Sequence, residues 1–202
     1  SSRWYPGAGL YRNVHLVVTE DAYVPTWGTC VTTPVVNEKY AKVVLNTQLA
    51  TPKGADRKAY RIVTEIKDPN GKVVATAENK LSIYNECQFE QEFAVATPAL
   101  WSVENPFLYT AESKIYAGNT LKDEYTTRFG IRTLEIIPEK GFFLNGQLTK
   151  FKGVCNHHDL GPLGAAVNDA AIRRQIRIMK DMGVNAIRTS HNMPAPELVE
   201  AC

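Results

Sequence analysis

The sequence predicts a mainly β protein. An immunoglobulin-like antiparallel β-sandwich over residues 12–138 is followed by the first βαβ part of a TIM (β/α)8 barrel over residues 139–202. Three observations predict it. Apolar and polar residues alternate from about Arg12 to Pro138, with turn signals at short intervals. That character changes near Gly141. Beyond it, Lys152-Gly-Val-Cys-Asn-His-His-Asp159 and Asn185-Ala-Ile-Arg-Thr-Ser-His-Asn192 each run from a short apolar strand into a polar cluster, with one amphipathic helix between them.

In the first region Val43, Leu45, Thr47 and Leu49 share one face of a strand, against Val44, Asn46 and Gln48 on the other. Tyr60, Ile62 and Ile66 repeat the period of two. So do Cys87, Phe89, Phe93 and Val95 against Gln88, Glu90 and Glu92. Asp68-Pro-Asn-Gly71 and Ala117-Gly-Asn119 are turns between strands. Six or more short strands with no helical pattern among them predict a sandwich. His15 falls in an alternating stretch and reads as a surface or edge histidine. Trp101 and the nearby Tyr109 could form a sugar-stacking platform, but Trp101, beside a corner between strands, reads as a core plug of the sandwich.

The second region opens with a hairpin over 142–148, with Asn145-Gly146 at a type I′ turn. Phe151–Val154 and Gly183–Arg188 read as buried strands. Between them Asn168 caps a helix, Asp169 lies in its first turn, and Gly183 stands at C′. Ile172, Ile176 and Met179 form its apolar stripe, with Arg173, Arg174, Arg177 and Lys180 facing away. Met179 and Met182 are expected in the core.

Of 202 residues, 44% are hydrophobic and 22% charged, as in a globular domain. A net charge of +2, with both signs interspersed, gives no basic nucleic-acid surface. No apolar run reaches the ~18 residues that span a bilayer, and the first residues lack a signal-peptide h-region. Neither nucleic acid nor membrane is therefore an expected partner. Cys30, Cys87, Cys155 and Cys202 have no metal-site spacing. Cys30 and Cys87 read as buried free thiols, with their pairing as the alternative, and Cys155 as a small core-lining residue.

Five motifs together resemble glycoside hydrolase family 2, of the β-galactosidase type. Gly9-Leu-Tyr-Arg-Asn-Val14 resembles the strand leaving that family's sugar-binding jelly roll, so residues 1–11 would be the end of that domain. Leu100-Trp-Ser-Val-Glu-Asn-Pro-Phe-Leu-Tyr109 and Phe129-Gly-Ile-Arg-Thr-Leu-Glu135 are similar to hallmarks of its immunoglobulin-like domain. Phe143-Leu-Asn-Gly146 with Lys152-Gly-Val154 resembles the start of its barrel, and Asn185-Ala-Ile-Arg-Thr-Ser-His191 its first signature. The run His157-His-Asp-Leu-Gly-Pro-Leu-Gly164 is more similar to the galactosidase branch than to the glucuronidase branch. Where the family usually has His-Tyr-Pro, this chain reads His191-Asn-Met-Pro194.

The resemblance implies that His157 and His191 contact hydroxyls of a bound sugar and that Arg188 supports the pocket floor. Asn156, His158, Asp159 and Asn192 are candidate supporting residues, with a structural role for His158 equally open. Family members are retaining enzymes, which need two carboxyl groups about 5–5.5 Å apart. Both are glutamates on later barrel strands, so no catalytic residue is expected within 202 residues and the fragment alone is expected to be inactive. Glu197 and Glu200, three residues apart at a helix start, read as a solvated face. A metal site at His157, His158 and His191 is not expected, for want of ligands at i,i+4 spacing. The resemblance implies no cofactor here and allows Mg or Na in the full-length parent.

Two βα units cannot close a barrel, so a homodimer or a packing contact is expected to cover the open edge. Family habit points to a periplasmic or secreted parent. The functions weighed are a β-galactosidase fragment, a β-glucuronidase of the same family, a non-catalytic carbohydrate-binding or adhesion module, and a small Cys- or metal-dependent hydrolase. The first is the expectation.

Overall fold

A computed structural model describes residues 9–52, 54 and 57–202. The chain divides into two units: Val17–Thr149, and Ser1–Leu16 with Lys150–Cys202. The expected boundaries at 11/12 and 138/139 therefore differ from the division by contacts. Residues 12–16 go with the second unit, and 139–149 stay with the first. Residues 1–8 of the expected jelly-roll end lie outside the described residues.

Seven strands build the sandwich: β1 (Thr29–Val36), β2 (Tyr40–Ala50), β3 (Lys58–Lys67), β4 (Val73–Ile83), β5 (Glu86–Ala96), β6 (Tyr109–Ala117) and β7 (Thr120–Phe129). They form two antiparallel sheets, in the orders β1-β2-β5 and β4-β3-β6-β7. The turns that the sequence marks are where the chain reverses. Asp68 accepts from the backbone N–H groups of Asn70 and Lys72 between β3 and β4, and Gly118 takes φ +58 between β6 and β7. Pro34 sits on edge strand β1 beside a register shift, the position a missing N–H tolerates. The alternation does not make strands of residues 12–22. Among them Arg12, Asp21 and Ala22 bend, and His15 is exposed outside any strand. The first ladder contact after them is the isolated bridge of Tyr23 to Ala50.

The inward residues of both sheets form two apolar clusters. One holds Ala41, Val43, Leu45, Ile66, Phe93, Val95, Tyr109 and Ala111; the other holds Leu49, Tyr60, Ile62, Phe89 and Ile115. A polar layer lies at the intervening positions of four strands: Thr47 on β2, Thr64 on β3, Gln91 on β5 and Ser113 on β6, all buried. Thr64 Oγ1 donates to Gln91 Oε1 at 2.6 Å and lies 2.8 Å from Ser113 Oγ, so the hydroxyls of one sheet meet the amide of the other. Such groups are costly to bury without partners and acceptable with them. Thr47 Oγ1 has no partner among the described residues.

Tyr109, at the start of β6, accepts a hydrogen bond on its hydroxyl from the Ala99 N–H at 2.9 Å. This is the tyrosine corner of immunoglobulin-like sandwiches, in which a buried phenol staples the preceding crossover. Trp101 packs on Gly130, where an added Cβ would lie 2.8 Å from Trp101 Cβ and 2.9 Å from the indole, and the Arg132 guanidinium stacks 4.7 Å over the ring. Both aromatics are thus structural, as expected for Trp101. Cys30 is exposed rather than buried, because its β1 side chain points away from the facing sheet, and all four cysteines are free. Burial pushes the Cys87 thiol above its ordinary value.

A small sheet completes this unit: β8 (Leu134–Ile137), β9 (Gly141–Leu144) and β10 (Gln147–Leu148). Asn145 and Gly146 at the β9–β10 turn have φ +51 and +75, the signature of a type I′ turn. Asn145 also exchanges bonds with Thr133 and donates to the Trp101 carbonyl at 3.0 Å.

Candidate active site at two parallel strand ends

In the second unit β11 (Gly153–Cys155) and β12 (Ala186–Arg188) pair in parallel, Val154 opposite Ile187, with α1 (Asp169–Asp181) as the crossover. Both strands are shorter than the apolar runs suggested. Asn185 explains where pairing starts: its side chain accepts from the Lys152 N–H at 2.8 Å and donates to the Lys150 carbonyl at 3.0 Å. Gly153 is where the two backbones approach, an added Cβ lying 3.2 Å from the Ala186 carbonyl oxygen. The Asn156 N–H then bonds the Arg188 carbonyl at 2.9 Å, carrying the ladder to the C-terminal ends of both strands.

The helix forms as its sequence dictates. Asn168 Oδ1 accepts from the Ala171 N–H, and Gly183 takes φ +83 after the last turn. Ile172 and Met179 are buried on the inner face. Arg173 bonds both oxygens of Asp169 at 2.9 Å, one turn away, which raises its pKa above the ordinary guanidinium value. Met182 is 72% exposed, contrary to expectation, because it is the C-cap residue and has left the apolar stripe.

The strand ends deliver the histidines. His157 and His191 meet edge to face, ring centroids 5.2 Å apart at an interplanar angle of 83°. His158, the next residue, engages other groups: it stacks on Tyr11 at 5.5 Å and 17°, and its Nδ1 lies 3.3 Å from Asn192 Nδ2. Ser190, just before His191, is buried with φ +49. A cavity of about 240 Å³ is lined by Tyr11, Arg12, Asn156, His157, Asp159 and Asn192, among others. His191 and Arg188 are not among its lining residues. Arg188 is exposed and donates from Nη1 to Cys155 Sγ at 3.7 Å, so Cys155 is exposed at the strand end rather than core-lining.

Two groups escaped the sequence reading. Arg12 donates to the carbonyls of Met193 at 2.6 Å and Pro194 at 3.2 Å, and Asn13 Nδ2 donates to Glu197 Oε1 at 3.5 Å. Glu197, in the first turn of α2 (Pro196–Ala201), is therefore half-buried rather than solvated, while Glu200 is exposed. The only signal was the polar triplet within Gly9–Val14. Among the described residues, no three His, Cys, Asp or Glu side chains are placed to hold a metal ion, and no helix is long and apolar enough to cross a membrane.

Comparison with known proteins bears directly on this geometry. The model of glycosyl hydrolases family 2 matches residues 28–132, and that of the family's TIM barrel domain matches residues 136–202. Beta-galactosidase BoGH2A of Bacteroides ovatus is 45% identical over 204 residues, covering 100% of this chain and 24% of that protein. A putative beta-glucuronidase of Formosa agariphila is 38% identical, covering 100% of this chain and 19% of its own length. The crystal structure of a glycosyl hydrolase family 2 member from Bacteroides cellulosilyticus superposes with a TM-score of 0.94 at 38% identity, over 99% of this chain and 26% of that one. The chain thus spans about a quarter or less of the proteins it matches. With both family models matched in order and jointly covering most of its length, the chain belongs to glycosyl hydrolase family 2.

Proposed function

We propose that these 202 residues are part of a retaining exo-glycosidase that hydrolyses terminal β-galactosides, and that His157 and His191 contact hydroxyls of the bound sugar. One observation carries the reading. The two imidazoles meet at 5.2 Å at the C-terminal ends of adjacent parallel strands, the end where (β/α)8 barrels hold their sites. Imidazoles bonded to ring hydroxyls act by differential binding, tightening as the sugar flattens toward an oxocarbenium ion. The galactosidase assignment follows the 45% identity to a named β-galactosidase. Beta-glucuronidase is the second reading, since a named relative at 38% identity carries that title.

Retention needs a carboxylate pair across the glycosidic bond. Three acids line the cavity, Asp159, Asp169 and Glu197, of which Asp169 pairs with Arg173 and Glu197 accepts from Asn13. The family resemblance puts that pair on later strands of the parent, and the 202-residue chain by itself is expected to be catalytically silent.

The test uses the full-length parent. It is expected to turn over p-nitrophenyl β-D-galactoside faster than the glucuronide, and His157→Ala or His191→Ala to lower kcat/KM on the order of 10²-fold. Unchanged turnover in both variants would remove the two histidines from the site. A preference for the glucuronide would replace the substrate while keeping the residues.

A further inference from the structure

The loop bearing His191 is built against its backbone preference. Ser190 is a non-glycine residue at φ +49, a conformation that persists only where surrounding contacts over-determine it. The loop closes on itself through the Asn192 N–H and the Thr189 carbonyl, at 3.1 Å. Further restraint comes from a segment nearly the whole chain away. The Arg12 guanidinium spans two successive carbonyls, Met193 and Pro194, and so sets both the position and the direction of the backbone just past His191. Tyr11 stacks on His158, whose Nδ1 in turn meets the Asn192 amide. Asn192 and Met193 are the residues held in this way.

We infer that Tyr11-Arg12-Asn13 is a positioning strap that holds the Ser190–Pro194 loop so that His191 presents its imidazole beside His157. The inference rests on the proposal that His191 contacts the sugar. Arg12 touches neither imidazole in this arrangement; it acts through the two carbonyls, and its effect on the reaction passes through His191.

A double-mutant cycle in the full-length enzyme tests this, with Arg12→Ala, His191→Ala and the double variant assayed on the aryl glycoside it turns over. Arg12→Ala alone is expected to lower kcat/KM about tenfold, and less than about twofold once His191 is already alanine. Arg12→Lys, which can still donate to a carbonyl, is expected to recover to within about threefold of the parent. Losses that multiply fully in the double variant would overturn the strap, as would an Arg12→Ala enzyme with undiminished turnover beside a crippled His191→Ala. Full turnover in His191→Ala would instead sink the sugar-contact reading, and the strap's catalytic role with it. Should Arg12→Ala fail to fold, Arg12→Met carries the same cycle.

Discussion

The sandwich buries Ala41, Val43, Leu45, Leu49, Ile62 and Ile66 at 0% exposure, whereas the described residues of the second unit bury only Ile172 and Met179 among their hydrophobics. In that unit Phe151, Met182, Met193 and Val199 all stay exposed. The polar side chains follow the opposite trend. In the sandwich they are buried in one hydrogen-bonded layer, while in the barrel opening they gather at strand ends around a cavity. Stability and chemistry are thus assigned to different stretches of chain. A core substitution should tell them apart. Ile62→Ala is expected to destabilise the 202-residue chain by about 2–5 kcal/mol, the cost of a cavity that neighbours cannot refill. Ile172→Ala should cost the sandwich nothing and loosen only residues 150–202. Denaturant unfolding followed by tryptophan fluorescence in a Trp4→Phe background reads the first, since Trp27 and Trp101 lie in the sandwich unit and Trp4 does not. Amide exchange at β11 and β12 reads the second. Equal shifts in both probes for both variants would mean that the two units unfold as one.

How much of this was legible in the sequence depends on separation along the chain. Strand parity, the two turns, the Asn145-Gly146 hairpin and both helix caps are local, and all are found where the pattern put them. The His157–His191 encounter follows from two strands joined by one helix. By contrast, Arg12 meets Met193 across 181 residues, and no local pattern announces that contact. Residues 12–22 show the converse failure, since alternation without a partner strand made no strand. Position along β3 and β5 also outranked polarity. Thr64 and Gln91 look like outward residues by chemistry, yet the period of two places them inward, and each finds its partner there.

That polar layer offers a smaller contrast within the sandwich. Gln91→Leu removes the acceptor of the Thr64 hydroxyl and leaves a donor buried between the sheets, so a loss of about 1–3 kcal/mol is expected. Thr47→Val swaps a hydroxyl with no partner among the described residues for a methyl group of nearly the same shape. It is expected to be neutral or stabilising by up to about 1 kcal/mol. Equal costs for the two substitutions in denaturant melts would show that the Thr64–Gln91 hydrogen bond does not set the two positions apart.

The smallest effect concerns how the chain enters the sandwich. Asp21 faces Lys122 at 3.1 Å and Lys58 at 3.3 Å, next to the buried residues Ala22 and Val24. The ammonium of Lys122 first, and then that of Lys58, lowers its pKa below the ordinary carboxylate value, against the opposing effect of burial. Because the folded value is the lower one, the stabilisation is complete above the unfolded carboxylate's pKa and disappears as pH falls through the folded one. Lys122, hydrogen-bonded to Asp21, is shifted up, so its share is lost only at the alkaline end, as pH rises through the raised value. Asp21→Asn should therefore flatten the acid limb of stability against pH while leaving the core substitutions' effects unchanged at neutral pH. The Asp21 side chain is 34% exposed, so added salt should shrink the difference. An acid limb identical in the two proteins would show that this ion pair does not fasten the segment to β3 and β7.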